Sequence, residues 1–257
     1  MFLWESDQMS QCAGREGTEG EIEELPRLQQ VDAGQSGMKV WRNNGLSITL
    51  FALFLIFLTA QSLVGWHDEN NEKQDHGQAR IALTDYLSSG AFLEATMENW
   101  ESEFLQMGCY VVLTVFLYQR GSSESKEPGG KEAVDRDPLK SRNKADAPSP
   151  VRKGGWQLKL YSSSLSIAFF GLFAISLVLH AVGGTSTYNE SRALHGEPAV
   201  SVLGYMQSAR FWFESFQNWQ SEFLAIWCMV VFSIFLRQQG SPESKPVDAP
   251  HSQTGSG

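Results

Sequence analysis

Two stretches of the chain are apolar for long enough to leave water altogether. Residues 46–64 (LSITLFALFLIFLTAQSLV) carry no charge, and residues 160–184 carry none unless His180 is protonated. At a rise of about 1.5 Å per residue, a helix of this length crosses a hydrocarbon core of roughly 30 Å. Residues 104–118 and 223–236 are also uncharged but short. They reach spanning length only if their helices begin near Trp100 and Trp219. The pattern therefore predicts an all-α integral membrane fold with four transmembrane helices. Before the second and fourth runs, Tyr86–Asn99 and Tyr205–Asn218 alternate as short amphipathic helices would. Phe211, Trp212, Phe213, Phe216 and Trp219 crowd the second of these, as expected of a segment lying in the headgroup layer.

The runs are related. His76 and His195, Trp100 and Trp219, Glu103 and Glu222, and Lys126 and Lys245 are each 119 residues apart, and residues 46–126 match their partners at 32 of 81 positions without a gap. Shared apolar composition would explain matches within the spans. It does not explain Asn70 with Asn189, His76-Gly77 with His195-Gly196, or Tyr86 with Tyr205, which are polar or loop positions. The chain thus reads as a tandem duplication of a two-helix unit.

Each copy holds an even number of spans, so both copies insert the same way up, as parallel-repeat hairpins about an axis along the membrane normal. Residues 119–159 carry ten Lys and Arg, whereas the loops 66–103 and 185–222 carry two each. The positive-inside rule then places both termini and the linker in the cytoplasm and the two loops outside. Trp41 and Trp156 at the inner ends, and Trp66, Trp100 and Trp219 at the outer ends, fit the interfacial belts.

The expected organisation has a hairpin over 38–126, a flexible Gly-, Pro- and Ser-rich cytoplasmic linker over 127–155, a second hairpin over 156–245 and a disordered tail over 246–257. Residues 1–37 hold eight acids and two arginines, which suggests a disordered acidic tail. Met38-Lys39-Val40-Trp41-Arg42 is an ordinary basic lead-in to a membrane helix, so translation starting at Met38 is the alternative expectation. Such a lead-in also opens signal peptides, but the third helix is an internal copy of the first and cannot be a cleaved leader.

A net charge of −9 without a basic face excludes nucleic acid as a partner. Three cysteines make no disulfide framework: Cys109 and Cys228 fall inside predicted helices, and Cys12 in the acidic tail.

His-Gly-(Glu/Gln), Asn-Trp-x-Ser-Glu-Phe-Leu and Gly-Ser-x-Glu-Ser-Lys each occur twice, over about residues 40–250. On these motifs the chain resembles a bacterial membrane-protein family of unknown function, whose members begin near the position of Met38. The first copy departs slightly, with Gln78 where the second has Glu197-Pro198. The resemblance implies residence in the bacterial cytoplasmic membrane and brings no activity, cofactor or catalytic residue with it.

Glu103 and Glu222 open the second and fourth spans, where a carboxylate either favours the helix dipole or serves a function. Asn99 and Asn218 stand one turn before them. Gln61 and His180 are equivalent under the 119-residue offset and lie about a turn from the outer ends of their helices, where a polar side chain usually bonds a neighbouring helix. Together these six residues are the candidate polar or ion site. His76 and His195 read as turn residues before a flexible glycine, and Gly183-Gly184 as a helix end just past the third span. No metal or cofactor is expected, and no nucleophile–base motif points to an enzyme. The sequence favours a non-enzymatic membrane module that interacts with the bilayer, with other copies of itself or with another membrane protein. The alternative is a small ion or proton-coupled transporter or channel using Glu103, Glu222, Gln61 and His180.

Overall fold

The structure is a computed structural model that describes the backbone of residues 21–255 and the side chains of residues 38–255. Its helices are α1 (Glu21–Asp75), α2 (Leu83–Leu87), α3 (Gly90–Phe116), α4 (Ser149–Lys153), α5 (Gly155–Ser162), α6 (Ser164–Leu194), α7 (Val202–Met206) and α8 (Ala209–Phe235). Among the described residues there is no strand. Three helices are long and apolar enough to cross a membrane: Met38–Asp75 within α1, α6 and α8.

The chain divides into two compact units, Met1–Leu63 and Val64–Gly257. In the first, the apolar side chains of α1 are exposed, Leu50 at 57% and Phe57 at 66%. Such a surface suits lipid as its solvent and would be unfavourable in water. In the second unit, α3 packs most extensively along α6 and also against α8. Small residues permit the close approach. A Cβ built on Gly183 would lie 2.6 Å from the Glu94 backbone nitrogen and 2.9 Å from the Gly90 carbonyl oxygen. Backbone meets backbone there, as in membrane helix pairs that lack a hydrophobic driving force. Gly183 and Gly184 are therefore interior positions of a helix that continues to Leu194, which corrects the helix end expected at this pair.

Local contacts recur at the 119-residue interval. Asn70 and Ile81 exchange two hydrogen bonds (Ile81 N–H to Asn70 Oδ1, 2.8 Å; Asn70 Nδ2 to the Ile81 carbonyl, 3.2 Å). Asn189 and Val200 do the same at 2.8 and 3.0 Å. The Ser89 hydroxyl caps α3 by accepting from the Phe92 N–H, and Ser208 caps α8 by accepting from Phe211. Gly77 and Gly196 both take φ +70, the left-handed turn that ends each preceding helix.

Several expectations are corrected. The amphipathic segments before the second and fourth runs are not separate helices, because 90–99 and 209–218 are the opening turns of α3 and α8. Only the five-residue α2 and α7 precede them. Each serine cap turns the chain a few residues earlier than the apolar run requires, so the aromatic segment and the run share one helix. The linker is not featureless: Ala147, Val151 and Leu158 form a small buried cluster around α4 and α5. Nor is the C-terminal tail free. Lys245, 1% exposed, donates to the carbonyls of Gly121 (2.5 Å), Gln253 (2.9 Å) and His251 (3.1 Å), and the Gly255 N–H donates to the Ser122 carbonyl (2.9 Å). A buried ammonium needs several acceptors, and the tail carbonyls supply them. The backbone of residues 21–37 is helical where a disordered tail was expected. The expectations for residues 1–20, including Cys12, lie outside the described residues.

Candidate functional site

Of the six residues proposed from sequence, the structure singles out His180. It lies on α6, one turn before the Gly183 crossing, and is fully buried. Its Nδ1 donates to Glu101 Oε2 at 2.7 Å, and Glu101 is also fully buried. The other Glu101 oxygen accepts from Trp219 Nε1 at 2.9 Å. The far side of the ring faces Glu214 on α8, with Nε2 3.6 Å from Oε2. That is too long for a hydrogen bond, and Nε2 has no other partner. Phe211 stacks on the imidazole with ring centroids 4.9 Å apart.

A second layer surrounds Glu214. Arg210, one turn earlier on α8, donates its Nε to Glu214 Oε1 at 2.7 Å. The Tyr205 hydroxyl lies 2.5 Å from Glu214 Oε2 and 3.2 Å from Glu94 Oε1, so one proton serves two carboxylates. Burial, and then those two carboxylates, push the Tyr205 phenol above its usual range and keep it a donor.

Helical spacing explains the assembly. Glu94, Glu98 and Glu101 stand at i, i+4 and i+7 of α3 and share a face. The glycine crossing turns that face toward α6 and α8. Glu98 is hydrogen-bonded to Asn218, whose amide also donates to the Glu214 carbonyl at 3.2 Å. Four carboxylates thus gather around one guanidinium and one imidazole. With all four carboxylates ionised the group is anionic even when the ring is protonated. Above it, a cleft of about 740 Å³ is lined by Glu69, Glu72, Lys73, Glu190 and Arg210 among others. Arg210 lines this cleft and also binds Glu214, so the cleft reaches the cluster.

Asn218 thus joins the cluster through Glu98, whereas Glu103, Asn99 and Glu222 lie outside it. Glu103 is exposed, and Asn99 is exposed with its amide donating to the Ala95 carbonyl of its own helix (2.7 Å). Glu222 is half-buried, and its carbonyl accepts from Gln106 Nε2 at 3.3 Å. Gln61 belongs to the first compact unit. Of the expected interfacial anchors, Trp219 is bound to Glu101, and Trp66 donates its indole N–H to the Ile81 carbonyl at 2.9 Å. His76 and His195 each bond a backbone carbonyl one turn back, Glu72 at 2.9 Å and Ser191 at 2.8 Å, as turn residues do.

Glu94, Glu98, Glu101, Tyr205, Arg210 and Glu214 were not singled out in the sequence. The signal that marks most of them is a breach of the repeat. At the 119-residue offset Glu94 meets Phe213, Glu98 meets Gln217, Glu101 meets Gln220, Glu214 meets Ala95 and Arg210 meets Ala91. The first copy contributes three acids and the second a histidine, an arginine and one acid, so the cluster forms once.

A family model matches residues 37–256. The chain belongs to that family, described as Domain of unknown function (DUF6766). The match spans every residue of the cluster. No curated protein and no solved structure matches the chain.

Proposed function

We propose that this chain is a non-enzymatic multi-pass protein of the bacterial cytoplasmic membrane that binds and passes a cation through the cluster around His180. The observation that carries this reading is the burial of His180 and Glu101, ion-pairing groups at 0% exposure, in and beside a helix apolar enough to span a membrane. Ionisable groups are costly at that depth and face a bundle interior or a pathway. The excess of carboxylates selects for positive charge, and the cleft offers it a route from water.

The topology that goes with this function has four spans in two parallel hairpins, with both termini and the linker in the cytoplasm. α3 supplies the remaining span, the second in chain order. Its 27 residues measure about 40 Å at the usual rise, and its buried acids Glu94 and Glu101 pack on α6 and α8 and so need not meet lipid. The ten Lys and Arg of residues 119–159 and the exposed apolar faces of α1, α6 and α8 support the same arrangement. The bilayer is the surrounding partner, and those faces also suit other copies of the chain.

The test is flux in liposomes reconstituted with the full chain across a panel of monovalent and divalent cations. Glu214→Gln abolishes the flux while the protein still accumulates and elutes as the unmodified chain does. Flux no greater than that of empty liposomes for every cation would leave the interaction-module reading in its place. Labelling, from outside the cell, of a cysteine introduced into the linker would overturn the topology.

A further inference from the structure

The geometry points to a specific cargo or resident ion: Glu94, His180 and Glu214 form a binding site for a divalent transition metal of the zinc type. This inference rests on the cation reading above and names the ion class.

His180 Nε2 is a buried nitrogen with no hydrogen-bond partner. With Nδ1–H donated to Glu101, a neutral ring turns its Nε2 lone pair toward Glu214 Oε2 at 3.6 Å. Two lone pairs facing each other in a buried space repel. If Nε2 instead carries a proton, the distance exceeds that of a hydrogen bond and the proton goes unused. A metal resolves both problems. In a tetrahedral site with bonds of about 2.0–2.1 Å, neighbouring ligand atoms are roughly 3.3–3.4 Å apart. The observed 3.6 Å is near that separation. One oxygen of Glu94 completes the set, since the three ligand atoms all lie within 4.8 Å of one another.

The surroundings fit as well. Glu101 holds the imidazole Nδ1, the carboxylate–histidine arrangement that fixes the tautomer and ring orientation of metal-bound histidines. Trp219 in turn holds Glu101. Arg210 occupies only Oε1 of Glu214 and leaves Oε2 to the metal. A His-plus-two-carboxylate set with a fourth position left for water favours zinc and its neighbours over Ca²⁺ and Mg²⁺, which take six or more oxygens. Tyr205 is the competitor: its hydroxyl proton lies on the same Oε2 and on Glu94 Oε1. Metal binding displaces that hydrogen bond and leaves the phenol protonated.

The probe is Co²⁺, titrated into the purified full chain in detergent and followed by its ligand-field absorption, with Zn²⁺ as competitor. One equivalent gives the intense bands of a tetrahedral site, Zn²⁺ abolishes them, and excess Mg²⁺ or Ca²⁺ does not. His180→Gln weakens binding at least 100-fold, and Glu101→Gln weakens it 10- to 100-fold without removing a ligand. Tyr205→Phe tightens it several-fold, a gain that misfolding cannot imitate. Absence of the tetrahedral spectrum in the unmodified chain, or a spectrum unchanged by His180→Gln, overturns the site. If the spectrum is absent but Glu214-dependent flux of a monovalent cation persists, the metal assignment fails while the cation reading stands. Loss of both sinks both.

Discussion

The pairing of Glu101 with His180 makes a prediction whose sign reverses with background. In the unmodified chain Glu101 uses both oxygens as acceptors, one for Trp219 Nε1 and one for His180 Nδ1. An amide has one oxygen, so Glu101→Gln either sets its NH₂ group against the His180 Nδ1–H or forces the ring to the other tautomer, with its proton on Nε2 too far from Glu214 for a hydrogen bond; either way a buried donor is left unsatisfied. That costs about 1–3 kcal/mol. His180→Leu removes the imidazole and leaves the Glu101 carboxylate buried with a single indole donor, which costs about 3–5 kcal/mol, as for other broken buried pairs. In the His180→Leu background the carboxylate is the problem, and Glu101→Gln now stabilises by removing its charge. The coupling should exceed roughly 2 kcal/mol, far beyond the ~0.5 kcal/mol scatter of independent sites. The assay is a double-mutant cycle by denaturant titration of the full chain in mixed micelles. If Glu101→Gln shifts stability equally in both backgrounds, the pair is not the buried linkage described here.

Other changes test the frame around the site. Gly183→Ala must move α3 from the 2.6 Å contact with the Glu94 nitrogen toward the 3.4 Å of ordinary packing, which costs about 1–3 kcal/mol, whereas Gly171→Ala meets nothing within 4 Å and gains a few tenths to ~1 kcal/mol from helix propensity. Thermal unfolding of the two variants in detergent should therefore move in opposite directions. Lys245→Met strips the docked tail of its buried donor and speeds protease cleavage beyond residue 245; Lys126→Met, 119 residues earlier, bonded to exposed Asp135 and lying over the Tyr118 ring, leaves cleavage unchanged. Burial, then Arg237, lowers the Lys245 pKa below 10.5, so released tail keeps this proton to higher pH than docked tail does. Docking therefore tightens, and cleavage slows, as pH rises through the window between the two values. Asn189→Ala removes both bonds to Val200 and costs about 1–3 kcal/mol, read from the same micelle titration.

The sequence by itself determined what depends on period and neighbours a few residues apart. Uncharged runs of membrane length, the turn glycines after His76 and His195 and the 119-residue offset are local properties of the chain, and they place α1, α6 and α8. His180 was also legible, as a lone ionisable group in an apolar run. Its partners were not. Glu94, Glu98 and Glu101 look like ordinary acids on the polar opening of a helix, and Glu103 looks the same only two residues later. Which of them is buried depends on the rotation of α3 about its axis. That rotation is set where Gly90 and Gly183 let two backbones touch, a contact between segments more than 90 residues apart. A turn of 100° per residue separates the buried face of Glu101 from the exposed face of Glu103. Only the packing of α3 on α6 and α8 could choose between them, and that choice decides where the charge is held.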